Sequence, residues 1–284
     1  MRRKINVENK VIGEDAPVFI IAEIGINHNG NFDDAVKLIT SAKDAGADAV
    51  KFQTYITEKR VTKDSPVFEI LKKCELPFNL QEKLFQISRD ISIIPFSTPF
   101  DNESVDFLAS INNSIYKIAS FDSVNKKLLR KVALTGKPII MSTGMTTIQE
   151  LGEAWSSLGG EKDGSGCELA LLHCVSSYPT PIEEANLAMI SLLKSLHGGP
   201  VGYSDHTLGV EMPIMAVAAG AQIIEKHFTL NTKMRGPDHA MSADHQTLKL
   251  MISGIRRMEK ILGPAKMRIR EIEAVAVAYR RPSD

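Results

Sequence analysis

Eight short apolar runs, rich in β-branched residues and separated by stretches with helical spacing, constrain the fold more than any other feature. They are "VFIIAEIGI" (18–26), "AVKFQTY" (49–55), "SIIPFSTP" (92–99), "IYKIAS" (115–120), "PIIMSTG" (138–144), "LALLHCVS" (169–176), "PVGYSD" (200–205) and "AQIIEKHF" (221–228). The runs are continuous rather than alternating, as parallel strands covered on both faces should be. Between the first two, Phe32, Ala35, Val36, Leu38 and Ile39 make one apolar stripe. Asp33 and Asp34 fall in its first turn, where the helix dipole favours them. "SVNKKLLRKVALTG" and "TTIQELGEAWSSLGG" close on glycine, a helix stop. Eight strand–helix units in about 250 residues is the count and length of a closed parallel barrel. The expected fold is therefore α/β, a (β/α)8 TIM barrel. An open doubly wound sheet would carry G-x-G-x-x-G after its first strand, and "AEIGINHNG" does not contain it.

The segment "KINVENKVIGE" predicts a short hairpin plugging the barrel bottom. Residues 1–16 are thus assigned to a hairpin, 17–263 to the barrel and 264–284 to a C-terminal helix. That helix is expected because Ile269, Ile272, Val275, Ala276 and Tyr279 recur at helical spacing. The long stretch 56–78 after the second strand is a candidate active-site loop.

Thirty-four basic and 34 acidic residues balance, which favours neither nucleic acid nor an anionic membrane as partner. Three cysteines without a CxxC argue against a disulfide framework and a cysteine zinc site. No apolar stretch reaches the roughly 20 residues of a membrane helix. A soluble cytoplasmic protein is expected.

Chemistry in such a barrel sits at the carboxyl ends of the strands, and three groups of polar residues collect there. The first is Lys51, Thr98, Lys117, Ser120, Ser142, Ser176 and Ser204. Two point charges with several short hydroxyls suit a tetrahedral oxyanion such as phosphate. A single strand-end serine more commonly caps the next helix. A lysine inside an apolar strand, however, is costly unless an anion meets it. The second group is His206 and His227, imidazoles at the ends of neighbouring strands that can share a metal and leave positions open. His28, His239 and His245 are further ligand candidates, and His173 is expected to pack inside the barrel. The third group is the acids Glu23, Asp122 and Asp238. Lys51 on the next strand is the obvious partner for Glu23.

As a set, "AEIGINHNG", "GADAVKFQTY", "FSTPFD", "YKIASFD", "KPIIMSTGM", "LLHCVSSYPTP", "GYSDHT" and "EKHFTL…GPDHAMS" resemble the sialic acid synthase family. That family includes the legionaminate and pseudaminate synthases and a spore-coat polysaccharide protein. The resemblance implies condensation of phosphoenolpyruvate with an N-acylated hexosamine, giving a nine-carbon 2-keto sugar acid and phosphate. It implies phosphoenolpyruvate on Lys51, Thr98, Lys117, Ser120, Ser142, Ser176 and Ser204. It implies a divalent metal, usually manganese (magnesium or cobalt being alternatives), on His206 and His227. The sugar would meet Glu23, Gln53, Tyr178 and Asp238, and Glu23, Asp122 and Lys51 would carry the chemistry. Asp122 and Ser176 stand where some members have glutamate and asparagine. A homodimer is expected. The family normally continues into an antifreeze-protein-like domain whose arginine reaches the neighbouring subunit's sugar. That domain is expected to be absent here, and sugar binding to be weak unless Arg235 or a separate lid protein substitutes. The competing readings are a metal-dependent aldolase or synthase for a phosphorylated sugar, and a non-catalytic sugar-binding barrel.

Overall fold

The computed structural model describes residues 3–160, 167–264 and 266–281. Two short strands open the chain, β1 (Ile5–Val7) and β2 (Lys10–Ile12), paired antiparallel with Ile5 opposite Ile12. Eight parallel strands follow: β3 (Phe19–Gly25), β4 (Ala49–Thr54), β5 (Ile94–Pro99), β6 (Tyr116–Ile118), β7 (Ile139–Ser142), β8 (Leu169–His173), β9 (Val201–Asp205) and β10 (Ile223–His227). They close in sequence order, with β10 pairing β3. Each expected run holds one strand.

Side chains alternate between two packed layers. Phe19, Ile21, Ala49, Ile94, Phe96, Ile140, Leu172 and Ile223 point inward and form the floor of the barrel. Ile5, Val7 and Ile12 of the hairpin belong to the same cluster, so the hairpin plugs the bottom. The alternate positions (Ile20, Ala22, Val50, Leu171, Ile224) pack outward against the helices. The first helix, Phe32–Ala45, is capped by Asn31, whose side chain accepts from the Asp34 N–H. It stops at Gly46, whose φ of 97° is available to glycine without penalty. The long helix His245–Leu262 packs beside the first barrel strand. Its Arg256 donates to the Val18 carbonyl at 2.9 Å and pairs with Asp48 at 3.3 Å, while Glu259 accepts the Val18 N–H.

Two expectations need correction. The C-terminal segment is not one helix. It holds a 3-10 turn at Glu271–Glu273 and one helical turn at Ala274–Val277, with Ile269, Ile272, Val275 and Tyr279 all exposed. Helical spacing alone does not sustain a helix that has nothing to pack against. His173 is not inside the barrel either. Leu172 and its inward neighbours take that face, so His173 turns outward, stacks on Tyr203 and hydrogen-bonds the Ala185 carbonyl at 2.8 Å.

Candidate active site

Following the inward face up each strand, apolar side chains give way to charged ones at a single level. Above Ile21 comes Glu23; above Ala49, Lys51 and Gln53; above Phe96, Thr98; above Ile115, Lys117; above Ile140, Ser142; above Ile223, Glu225 and His227. Glu23, Lys51, Lys117 and Glu225 are each between 1% and 4% exposed. Burying four charges is tolerable only because they alternate in sign. Lys51 Nζ lies 2.6 Å from Glu23 and 3.7 Å from Glu225, and Lys117 Nζ lies 3.9 Å from Glu225. The pairing of Glu23 with Lys51 is as the sequence implied.

The hydroxyls complete the ring. Lys51 donates to Thr98 Oγ1 at 3.2 Å and Lys117 to Ser142 Oγ at 2.6 Å. Ser204 donates to Glu225 at 2.8 Å. Ser120 Oγ accepts the Gly144 N–H at 3.1 Å and contacts Cys174 Sγ at 3.1 Å. A Cβ on Gly144 would stand 2.6 Å from Ser176 Oγ and 2.9 Å from Ser120 Oγ, so only glycine lets these hydroxyls converge. Ser176 Oγ is buried without a hydrogen-bond partner. A buried hydroxyl without a partner is costly, and this one lies on the same side of Gly144 as Ser120 Oγ and Cys174 Sγ.

Electrostatics divides the two glutamates. Burial and the nearby Glu225 push Glu23 up to about 7, against the pull of Lys51. Burial would raise Glu225 as well, but Lys117 and Lys51 outweigh it and hold it at about 2. Glu23 is therefore the carboxyl pushed above the usual range, and Glu225 the one held below it.

His206 and His227 flank this cluster, their ring centroids 5.6 Å apart. His206 Nδ1 donates to the Val175 carbonyl at 2.7 Å, which leaves Nε2 with its lone pair. His227 Nδ1 is buried without a hydrogen bond, 3.7 Å from Asp238. Among the described residues no third His, Cys, Asp or Glu completes a metal cage. The pair thus fits a cation that fills its shell with water or substrate. The other histidines have their own partners. His28 accepts the Gly30 N–H, His239 bonds Thr229 and Asn29, and His245 bonds Ser41.

The Tyr178 ring lies tilted against His206, centroids 4.2 Å apart, and remains half-exposed at the rim. Gln53 donates to Glu23 at 3.3 Å. Asp122 lies in the turn after β6 and accepts from Asn125. Burial raises both Asp122 and Asp238 above the usual carboxylate range. Arg235 is exposed. Other polar residues at the strand ends face away from the mouth. Ser97 bonds Thr54 on the outer side, and Asp205 forms a buried ion pair with Lys226.

Sequence reasoning passed over Gly144 and Arg60, and it placed Glu225 at the mouth without giving it a part in the anion site. Glu225 stands two residues before His227 on a strand, so period-two alternation put both on one face. No local signal marks Gly144 or Arg60.

A profile of the NeuB family matches residues 38–267. The chain belongs to the NeuB family. Among its relatives, N,N'-diacetyllegionaminic acid synthase of Campylobacter jejuni is 40% identical over 259 residues, 86% of this chain and 77% of that one. Spore coat polysaccharide biosynthesis protein SpsE of Bacillus subtilis is 39% identical over 266 residues, 89% of this chain and 70% of that one. The crystal structure of a sialic acid synthetase from Leptospira borgpetersenii superposes with a TM-score of 0.94 at 39% identity, covering 99% and 97% of the two chains. Membership places this NeuB protein among the synthases of nine-carbon sugar acids, as a transferase of the neuraminate synthase type. A non-catalytic barrel is thereby set aside. No helix among the described residues is long and apolar enough to cross a membrane.

Proposed function

We propose that the chain condenses phosphoenolpyruvate with an N-acylated hexosamine, releasing phosphate and a nine-carbon 2-keto sugar acid. The observation that carries this reading is the convergence of two buried lysines and a ring of hydroxyls on one point, beside a pair of available imidazoles. The phosphate sits on Lys51, Lys117, Thr98, Ser120, Ser142, Ser176 and Ser204, where donors from different strands suit its tetrahedral oxygens. The sugar occupies the outer half of the mouth, against Glu23, Gln53, Tyr178 and Asp238.

Carbon 3 of phosphoenolpyruvate attacks the aldehyde carbon of the open-chain sugar, and the carbonyl oxygen takes a proton from protonated Glu23 to become a hydroxyl. Positive charge develops at carbon 2, which Glu225 faces with a fixed negative charge. Water adds at carbon 2 and gives its proton to Glu23, whose pKa near neutrality suits a group that must take and return a proton. Asp122, less buried, is the alternative base. The phosphorylated hemiketal then breaks its carbon–oxygen bond to phosphate and passes its hydroxyl proton to the departing phosphate, leaving the ketone, while the lysines hold that anion. A divalent cation held by His206 and His227, manganese or else magnesium or cobalt, supplies Lewis-acid polarisation of the sugar carbonyl. A homodimer in the cytoplasm is part of the proposal.

The test is phosphate release from phosphoenolpyruvate with manganese and a panel of N-acylated mannosamine and altrosamine sugars. Release that requires one of these sugars is expected. Release with none of them, or equal release without sugar, overturns the reading.

A further inference from the structure

The loop after β4 carries a cation that this mechanism does not use. Arg60 ends the short helix Thr57–Arg60, and its neighbours Thr57 and Tyr55 are buried and bonded to Glu75 and Leu71. Its guanidinium lies over the Phe100 ring at 3.6 Å and over Tyr55 at 4.7 Å. The hydrogen bond found for it is Nη1 to Gln53 Oε1, at 3.0 Å. Gln53 in turn holds Glu23. Among the described residues no carboxylate comes within ion-pairing distance of Arg60, although it feels the charges of Asp122, Asp238 and Glu23. Asp122 and Asp238 in turn both feel Arg60.

This arrangement is unusual for a loop arginine. Stacking on two rings fixes the plane of the fork, and one amide fixes one corner. The remaining N–H groups stay available beside two acids that are near but not bonded. An ion pair with either acid would have been the simple way to satisfy the charge. What fits such an arrangement is a group that accepts from the guanidinium and donates to the carboxylates. Adjacent hydroxyl or acylamido oxygens of a sugar do both, whereas a second phosphate would be repelled by Asp122 and Asp238.

We propose that Arg60 is a sugar-binding residue whose fork donates to two adjacent oxygens of the acceptor sugar, with Asp122 and Asp238 accepting from its hydroxyls. This rests on the condensation proposed above. It gives the chain its own cation at the sugar end of the mouth, on the loop that the sequence marked as the active-site loop.

Arg60→Met keeps the unbranched stem over the rings and removes the fork. Arg60→Lys keeps the charge and loses the bidentate geometry. Both are expected to raise the sugar KM by roughly ten- to a hundredfold, the worth of a charge-assisted bond. The phosphoenolpyruvate KM and the melting temperature should stay at wild-type values. Calorimetric titration with sugar alone should show the same loss of affinity. An unchanged sugar KM and sugar affinity in Arg60→Met, with the wild type turning over, overturns this inference and leaves the proposed reaction standing. A fall in melting temperature with an unchanged sugar KM would make Arg60 a loop anchor and also overturns it. A wild type that neither binds nor turns over any N-acylated hexosamine overturns both.

Discussion

The two ends of the barrel interior are built from the same strands to opposite purposes. The floor is Phe19, Ile21, Ile94, Phe96, Ile140, Leu172 and Ile223, sealed by the hairpin residues Ile5, Val7 and Ile12, and no member of that cluster titrates. One step higher, Glu23, Lys51, Lys117 and Glu225 are equally buried and all ionisable. The floor removes apolar surface from water and stabilises the fold. The mouth desolvates four ionisable groups and keeps Ser176 Oγ and His227 Nδ1 without hydrogen-bond partners, which is a cost to the fold. Stability therefore belongs to the lower half and chemistry to the upper.

Metal removal should show the largest effect, and only on chemistry. Chelator should abolish phosphate release and added manganese restore it, while the melting temperature moves little. Full turnover in metal-free buffer would end the role given to His206 and His227. The floor should respond in the opposite way. Phe96→Ala should cost about 3–5 kcal/mol of unfolding free energy, with phosphoenolpyruvate affinity unchanged in the folded fraction. A comparable loss of affinity would show that the two ends are not separate.

The comparison extends to pH. Burial holds His28, at the rim, neutral with a pKa of about 4, against an ordinary 6.5 when unfolded. The unfolded chain binds that proton first, so stability is full above pH 6.5 and falls toward pH 4, by on the order of 3 kcal/mol. Denaturant titrations should show this slope, and His28→Gln should flatten it. A variant as pH-sensitive as the wild type would assign the slope to other groups.

Smaller effects belong to single anion contacts. Lys117→Ala should weaken phosphoenolpyruvate binding by about 1.5–3 kcal/mol, and Lys117→Arg should fail too, since a planar fork does not fit a point-charge site. Ser120→Ala and Ser142→Ala should each cost about 0.5–1.5 kcal/mol of that binding and little stability. If calorimetry shows affinity holding while stability drops, these serines only brace the strand ends.

Period two and the positions of Lys51, Lys117, Ser142, His206 and His227 were all legible in the sequence, because strand alternation and strand ends are local properties. The barrel class followed from the count of runs, and the hairpin plug from its place before the first. His173 was misplaced because an apolar run covered on both faces does not say which residue parity points inward. The C-terminal helix was overestimated because its spacing is local while the surface it would need is not.

The sequence by itself determined that eight strands would close and that costly lysines would stand at their ends. Only the tertiary structure decided that Glu225, on the last strand, meets Lys51 and Lys117 across the interior. It also decided that Gly144 gathers Ser120 and Ser176, and that Arg60 reaches the mouth from a loop. These residues are separated by tens to hundreds of positions, and what brings them together is barrel closure and the packing of a loop on Tyr55 and Phe100. Closure and loop packing follow from the summed burial of whole layers, which no short stretch of chain encodes.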